Sequence, residues 1–239
     1  MQLFYTQNIN ENIAILEEED AKHCKVLRKN TADKLNVIDG FGNLYVTEIL
    51  AILKNSVETK IIQKTFFPKN RTYYFHLLIA PTKQNERMEW MLEKCIETGI
   101  DEITFLNTEH CEKTRINKER LTKIAISAMK QSGEYYLPKI NEVLNFKDFL
   151  TFEHPSQHLN LLAHCNYLFE KNTLKQIIEQ HKEADNLHIN CFIGPEGDFS
   201  QNEIDLCYRK GFKGLSLGKT RLRTETAGLY CAMGLSNLL

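Results

Sequence analysis

The chain has few of the features that mark secreted, membrane-bound or metal-binding proteins. Its 239 residues include one tryptophan and five prolines, and its seven cysteines form no C-x-x-C pair. Scattered cysteines in odd number argue against a disulfide framework or a zinc site and favour free thiols in a reducing cytoplasm. No apolar run is long enough to cross a bilayer, and the N-terminus lacks the regions of a signal peptide. We therefore predict a cytoplasmic protein without a membrane association.

An excess of positive charge is missing too. Lys and Arg number 30 against 31 Asp and Glu, so the net charge gives no argument for nucleic acid as a partner. One local cluster stands out, because Lys25, Arg28 and Lys29 follow closely after His23. Such a cluster can bind phosphates, although a solvated basic turn has the same composition.

Several ligand motifs are also missing. There is no G-x-G-x-x-G turn and no H-E-x-x-H helix. Gly214 and Gly218-Lys219-Thr220 resemble a P-loop, but three residues separate them where the motif has four, so different N–H groups would converge on a phosphate. Three histidines and a cysteine lie near one another in the sequence: His154, His158, His164 and Cys165. They lack the spacing of paired ligands, so we predict no metal site.

Hydrophobic periodicity divides the chain near residue 70. Up to Phe67 the pattern is one of short β segments around an Asp39-Gly40 hairpin signal, with no amphipathic helix of any length, which predicts a small β-barrel or sandwich. After Pro68, apolar strands alternate with helical patterns, and a parallel sheet with helices on both faces is expected. The predicted strands of this part lie at Tyr73–Ala80, Ile103–Leu106, Leu159–Ala163, around Ile189 and around Leu215. We predict two domains, residues 1–70 and 71–239.

Two local patterns within the second part carry further predictions. Ser200-Gln201-Asn202-Glu203 has the form of a capping box at the start of a helix. Met88, Trp90 and Met91 lie at helical spacing with other apolar residues, which predicts a place in the core or in a subunit interface.

Two glycine-bearing turns follow two of the predicted strands. They are Gly194-Pro195-Glu196-Gly197 and the segment from Gly218 to Thr224. Ligand crevices in open α/β sheets form at the carboxyl ends of strands, and glycine lets the backbone approach a ligand closely. The second turn carries Arg221 and Arg223 and opens a helix at Thr224, whose hydroxyl can cap free N–H groups. These turns predict a small-molecule site beside an anionic partner, although two ordinary strand-to-helix turns have the same pattern.

A set of motifs in fixed order is similar to that of one protein family. The motifs are His23–Arg28, Asp39-Gly40, Glu97–Ile100, Gln131-Ser132, Ile193–Gly197 and Leu217–Ala227. Over nearly the whole chain they resemble the RsmE family of ribosomal RNA methyltransferases, in the SPOUT (trefoil-knot) class. The resemblance implies an α/β domain with a trefoil-knotted parallel sheet, preceded by a PUA-like β-barrel that binds RNA. It also implies a metal-free homodimer that transfers a methyl group from S-adenosylmethionine to uracil N3 of one uridine in 16S ribosomal RNA of the small ribosomal subunit.

The resemblance assigns roles to individual residues. The residues that would bind the cofactor are Leu162, His164, Gly194, Pro195, Glu196, Gly197, Leu217, Gly218, Leu222 and Thr224. Arg223 would be catalytic and would stabilise negative charge on a uracil oxygen as N3 loses its proton. Lys25, Arg28 and Arg221 would bind RNA. The residue pattern by itself leaves His164 a second role, that of an ordinary polar residue at a strand end.

The chain departs from the family pattern at two places. Asp198 stands where the family commonly has a further glycine, and Gly133 follows Gln131-Ser132 where an arginine is common. The second departure weakens the expectation that residues 131–136 bind RNA phosphates. Two alternatives remain open, a SPOUT methyltransferase acting on another ribosomal or transfer RNA position and a non-enzymatic RNA-binding protein.

Overall fold

A computed structural model describes residues 2–151, 158–181 and 186–239. These residues form two compact units. The first contains the described chain up to Asn70 together with Ile126–Leu137, and the second contains Arg71–Ala125 and the described residues from Pro138 onwards. The predicted domain boundary near residue 70 stays a prediction. None of the described helices combines the length and the apolar character that a bilayer crossing requires.

The first unit is built on one sheet of six strands. Its elements are β1 (Leu3–Tyr5), β2 (Ile9–Asn10), β3 (Ile13–Glu17), α1 (Glu18–Val26), β4 (Lys34–Ile38), β5 (Asn43–Ile52) and β6 (Ser56–Phe66). The strand order is β1-β4-β5-β6-β3-β2, and every pairing is antiparallel except that of β1 with β4. Alternate residues of the strands, such as Leu16, Val37 and Val57, are buried in its core, as the period of two requires. Strands β4, β5 and β6 lie where the apolar pattern of the sequence indicates β segments.

The prediction that this part contains no amphipathic helix was wrong. Helix α1 buries Ala21 and Cys24, and its buried Asp20 accepts a hydrogen bond from Lys130 Nζ at 2.9 Å. Two small apolar residues one turn apart give little periodic signal, which is why the sequence pattern missed the helix. The basic cluster therefore lies on α1 and just after it, with Arg28 at a φ of 54°.

The second unit is a parallel sheet of seven strands. Its elements are β7 (Tyr73–Ile79), α2 (Asn85–Glu97), β8 (Glu102–Asn107), the first half of α3 (Lys118–Ser132), β9 (Lys139–Asn145), α4 (Phe146–Thr151), β10 (His158–Ala163), β11 (Asn172–Thr173), α5 (Leu174–Glu179), β12 (Leu187–Ile193), α6 (Gln201–Arg209), β13 (Lys213–Ser216) and α7 (Thr224–Leu238). Every pairing between described strands is parallel, in the order β11-β13-β10-β12-β7-β8-β9. The predicted parallel sheet is confirmed, and the trefoil knot stays a prediction.

Helices cover both faces of this sheet. On one face Leu78 and Phe192 pack in an apolar cluster with Phe146 of α4 and Ile204 of α6. On the other face α7 packs against β7 and β12 and against α2. The packing is close at Gly228, because a Cβ there would lie 2.8 Å from Met91 Sδ and 3.0 Å from Ile79 Cδ1, so a larger residue would displace these side chains. The strand order also places β10 between β12 and β13, so the carboxyl ends of these three strands are neighbours.

Candidate functional site

Three loops meet at the carboxyl ends of β10, β12 and β13. They enclose a cavity of about 550 Å³, lined by residues within 163–171, 193–198 and 215–227. Pockets for small molecules commonly have volumes of roughly 300–1,000 Å³. The cavity therefore lies where the two glycine-bearing turns predict one, and it has the volume of a small-molecule site.

Hydrogen bonds fasten the three loops to one another. The Thr224 hydroxyl donates to the carbonyl oxygen of Gly194 at 3.1 Å, and Arg221 Nη2 donates to the carbonyl oxygen of Glu196 at 2.7 Å. The backbone N–H of Cys165 donates to Asp198 Oδ2 at 2.7 Å. Each loop is thus tied to a neighbour, and these ties hold the walls of the cavity together.

The prediction that the Thr224 hydroxyl caps its helix was wrong. Helix α7 begins at Thr224, its N-cap is Arg223, and no side chain caps it. The hydroxyl donates its hydrogen bond to Gly194 of another loop instead.

The motif G-x-S-x-G also occurs here, as Gly214 to Gly218. It does not form a nucleophile elbow, because Ser216 ends β13 and the next helix begins only at Thr224.

Asp198 adopts a left-handed backbone conformation, with a φ of 66°. Glycine adopts this region without steric cost, whereas a side chain with a Cβ is strained there. The aspartate carboxylate offsets that cost, because Oδ1 accepts the backbone N–H of Phe199 at 2.9 Å and Oδ2 accepts that of Cys165. The departure from the family pattern at this position therefore keeps the turn and adds a tie between two loops.

His164 is a neutral, buried imidazole in the cavity wall. Its Nε2 lies 3.0 Å from the Tyr208 hydroxyl, and that hydroxyl donates to the carbonyl oxygen of Glu170 at 3.1 Å. Nε2 then carries the proton, and the buried Nδ1 is an acceptor with no partner in the described part of the chain. Burial lowers the pKa of His164 to about 4, and Lys171 acts in the same direction. Because an unmet buried acceptor is costly, this atom suits a hydroxyl or N–H donor on a ligand.

Most residues predicted to bind the cofactor line this cavity: His164, Gly194, Pro195, Glu196, Leu217, Gly218, Leu222 and Thr224. Leu162 does not, because it is fully buried in the apolar cluster with Phe192. Gly197 does not line the cavity either. It packs against His110 instead, and a Cβ added at position 197 would lie 3.1 Å from the Cβ of His110. The roles of all these residues stay predictions.

A second, more open cavity of about 600 Å³ adjoins the first. It is lined by Glu86, Arg87 and Trp90 of α2, by Arg221, Leu222 and Arg223, and by the first turn of α7. Arg221, Leu222 and Arg223 line both cavities. The exposed Arg223, predicted as the catalytic residue, thus belongs to the wall between them.

Sequence reasoning did not assign Arg87 and Trp90 to a site. It predicted Met88, Trp90 and Met91 together as core or interface residues, and the two methionines are indeed buried, whereas Trp90 is 47% exposed. The available signal was weak, since a single tryptophan on a helix with buried neighbours resembles a core residue.

The predicted RNA-binding residues Lys25 and Arg28 are exposed residues of the first unit. Lys25 Nζ donates to the carbonyl oxygen of Lys54 at 2.6 Å.

Within the described ranges, no three histidine, cysteine or acidic side chains are placed to hold a metal ion. His154 lies outside the described residues, and the His158 ring stacks on that of His188 at 3.9 Å between centroids.

The fold and the cavity define an α/β protein that binds a small ligand at the carboxyl edge of a parallel sheet, joined to a β unit. Residues 69–236 match the family described as the RNA methyltransferase domain, and residues 16–62 match the RNA methyltransferase PUA domain. The chain therefore belongs to the RNA methyltransferase family, and the family predicted from the motifs is confirmed.

Named relatives agree with this membership. The chain is 29% identical to ribosomal RNA small subunit methyltransferase E of Rickettsia conorii, over 92% of this chain and 87% of the relative. It is 35% identical to a "probable rRNA-methyltransferase" of Porphyromonas gingivalis, whose crystal structure matches with a TM-score of 0.89 over 100% of this chain and 98% of the other. The structure of a "putative methyltransferase" from Legionella pneumophila "in complex with the bound cofactor SAM" matches at 27% identity, with a TM-score of 0.81 over 98% and 96% of the two chains.

Proposed function

We propose that this protein transfers a methyl group from S-adenosylmethionine to uracil N3 of a uridine in 16S ribosomal RNA of the small ribosomal subunit. One observation carries the proposal: a cavity of cofactor size shares the Arg221–Arg223 wall with a second cavity that is open to a larger partner. Family membership and the names of the relatives give the reaction class and the RNA.

The residues of the first cavity fit S-adenosylmethionine. Its walls present backbone groups of three loops, which can hydrogen-bond an adenine edge and a ribose. The unpartnered Nδ1 of His164 is a ready acceptor for a hydroxyl or amino group. Gly218, at a φ of 115°, has no heavy atom within 4 Å of where a Cβ would stand, so the backbone there is open to close approach by a ligand.

When bound, S-adenosylmethionine supplies an electrophilic methyl group on a sulfonium sulfur. Uracil N3 must lose a proton, and the negative charge that results spreads onto the ring oxygens. Arg223 is placed to stabilise this charge because its side chain is exposed and lines both cavities. Among nearby carboxylates, Glu225 is buried and lies 3.8 Å from Arg87 Nε, whereas Glu196 is exposed in the cavity wall and is the better candidate base.

The first unit would bind the RNA backbone through Lys25 and Arg28, whose exposed charges at the end of α1 suit phosphates.

We also propose that the protein acts as a homodimer. Helix α7 exposes Tyr230 and Met233 by 47% and 48%, which leaves an apolar strip suited to a second copy. Sedimentation of the wild type and of Tyr230→Ala would test this, and a monomeric wild type would contradict it.

The decisive experiment incubates the purified protein with labelled S-adenosylmethionine and small ribosomal subunits from a strain that lacks this gene. We expect label in 16S ribosomal RNA, recovered after digestion as 3-methyluridine, and labelling about 100- to 1,000-fold slower with Arg223→Ala. Label in transfer RNA or at another ribosomal position would favour the alternative methyltransferase. A protein that binds RNA but no S-adenosylmethionine in a calorimeter would favour the non-enzymatic alternative.

A further inference from the structure

We propose that the second cavity is the docking site of the acceptor uracil and that the Trp90 indole is the surface on which the base stacks. The inference rests on the proposed function and names the part of the same site that receives the RNA. Trp90 would act by positioning the base, and it would take no part in proton transfer.

The shared wall is the first argument. Methyl transfer requires the acceptor atom to approach the methyl group in line and at close range, so the acceptor must occupy space directly beside the cofactor. The second cavity satisfies this requirement, because Arg221, Leu222 and Arg223 line it as well as the first. Its volume of about 600 Å³ lies in the range of small-molecule pockets and can admit a base that has turned out of an RNA strand.

The exposure of Trp90 is the second argument. Its neighbours on α2, Met88, Met91 and Leu92, are almost fully buried, while the indole of Trp90 remains 47% exposed and lines the cavity. A flat aromatic side chain at the mouth of a basic pocket is the usual platform for an unpaired base in RNA recognition. Stacking on an aromatic ring does not distinguish one base from another. The polar groups around the indole would therefore select uracil.

The charge of the cavity is the third argument. Three arginines face it, and one of them is anchored, because Arg87 Nε lies 3.8 Å from the buried Glu225 carboxylate. Arg221 is held as well, through its hydrogen bond to the carbonyl oxygen of Glu196. Within the described part of the chain Arg223 makes no such tie, so its guanidinium is available for uracil oxygens. The three arginines outnumber the two carboxylates of the lining, Glu86 and Glu225, and the resulting net positive charge suits a nucleotide better than the apolar face of another protein.

The proposal has a direct spectroscopic test, because Trp90 is the only tryptophan of the chain. The full-length protein, saturated with S-adenosylhomocysteine, is titrated with a short oligouridylate while tryptophan emission is recorded. We expect saturable quenching in the wild type. Emission that does not change with oligouridylate would overturn the proposal.

Kinetics on unmodified small subunits provide the second readout. Trp90→Ala should lower kcat/KM about 10- to 100-fold, the usual range for loss of one base–aromatic stack. Trp90→Phe should restore most of that loss, and the Kd for S-adenosylmethionine should stay as in the wild type for both variants. A loss of self-association in Trp90→Ala, matching that of Tyr230→Ala, would assign the indole to the contact between copies and overturn the proposal.

The two proposals fail in distinguishable ways. Quenching by oligouridylate without any methyl transfer would reject the proposed function and leave the docking site supported. Methyl transfer to uracil N3 that is equally fast in the wild type and in Trp90→Ala would leave the proposed function supported and reject the docking site.

Discussion

Replacing Thr224 by valine tests how the loops around the first cavity are held together. Thr224 is 4% exposed, and its hydroxyl donates to the carbonyl oxygen of Gly194 at 3.1 Å. Valine keeps the shape but removes the donor, so the buried carbonyl loses this partner. A buried acceptor without its partner costs about 1–3 kcal/mol, and each kcal/mol lowers the Tm of a chain of this size by roughly 2–4 °C.

The same substitution should weaken cofactor binding. The lost hydrogen bond connects two of the three loops that line the cavity, and loosening them by about 1.4 kcal/mol corresponds to a tenfold higher Kd for S-adenosylmethionine. Thermal unfolding and calorimetric titration measure the two effects, with Thr224→Ser as the control that keeps the hydroxyl. Valine and wild-type proteins with equal Tm and equal Kd would refute the reasoning, and a serine variant as weak as valine would assign the effect to the methyl group.

Three further predictions follow from named residues. Arg223→Ala should lower kcat about 100- to 1,000-fold with little change in the Kd for S-adenosylmethionine, and equal losses of both would move Arg223 into the cofactor pocket. Lys25→Ala combined with Arg28→Ala should reduce the slope of log affinity for RNA against log salt concentration by about 1.5, and an unchanged slope would remove α1 from the interface. The free energy of unfolding should fall by about 2 kcal/mol between pH 6.5 and 5 because of His76. His76→Gln should remove that part of the pH dependence, and identical pH profiles of stability for the wild type and His76→Gln would reject this role of His76.

The sign of the pH effect follows from the burial of His76. Burial lowers its pKa to about 4, below its ordinary value of 6.5, while Nε2 lies 2.7 Å from Thr104 Oγ1. Between pH 6.5 and pH 4 the His76 imidazole is protonated in the unfolded chain but stays neutral in the folded chain. The stability that His76 contributes is therefore complete above pH 6.5 and is lost as the pH falls towards 4.

Features of the sequence that act locally could be predicted. The strands around Leu35 and Ile189 follow from apolar patterns within a few residues, and the capping box of Ser200 and Glu203 forms as predicted, with both side chains bonded to backbone N–H groups. Helix α1 was missed because its buried residues are small. Strand β9 was missed because it lies at an edge of the sheet and buries few of its residues fully, so its apolar pattern is weak.

The site itself depended on contacts that no local pattern contains. The sequence determined the glycine-bearing turns and the arginines, because turn conformation and charge are properties of neighbouring residues. Only the tertiary structure decided that β10 lies between β12 and β13, that Thr224 donates to Gly194, and that Trp90 faces the same cavity as Arg223. Periodicity fixes which side of an element is apolar, but the neighbours of each element are chosen by packing across the whole fold, and those neighbours form the cavities.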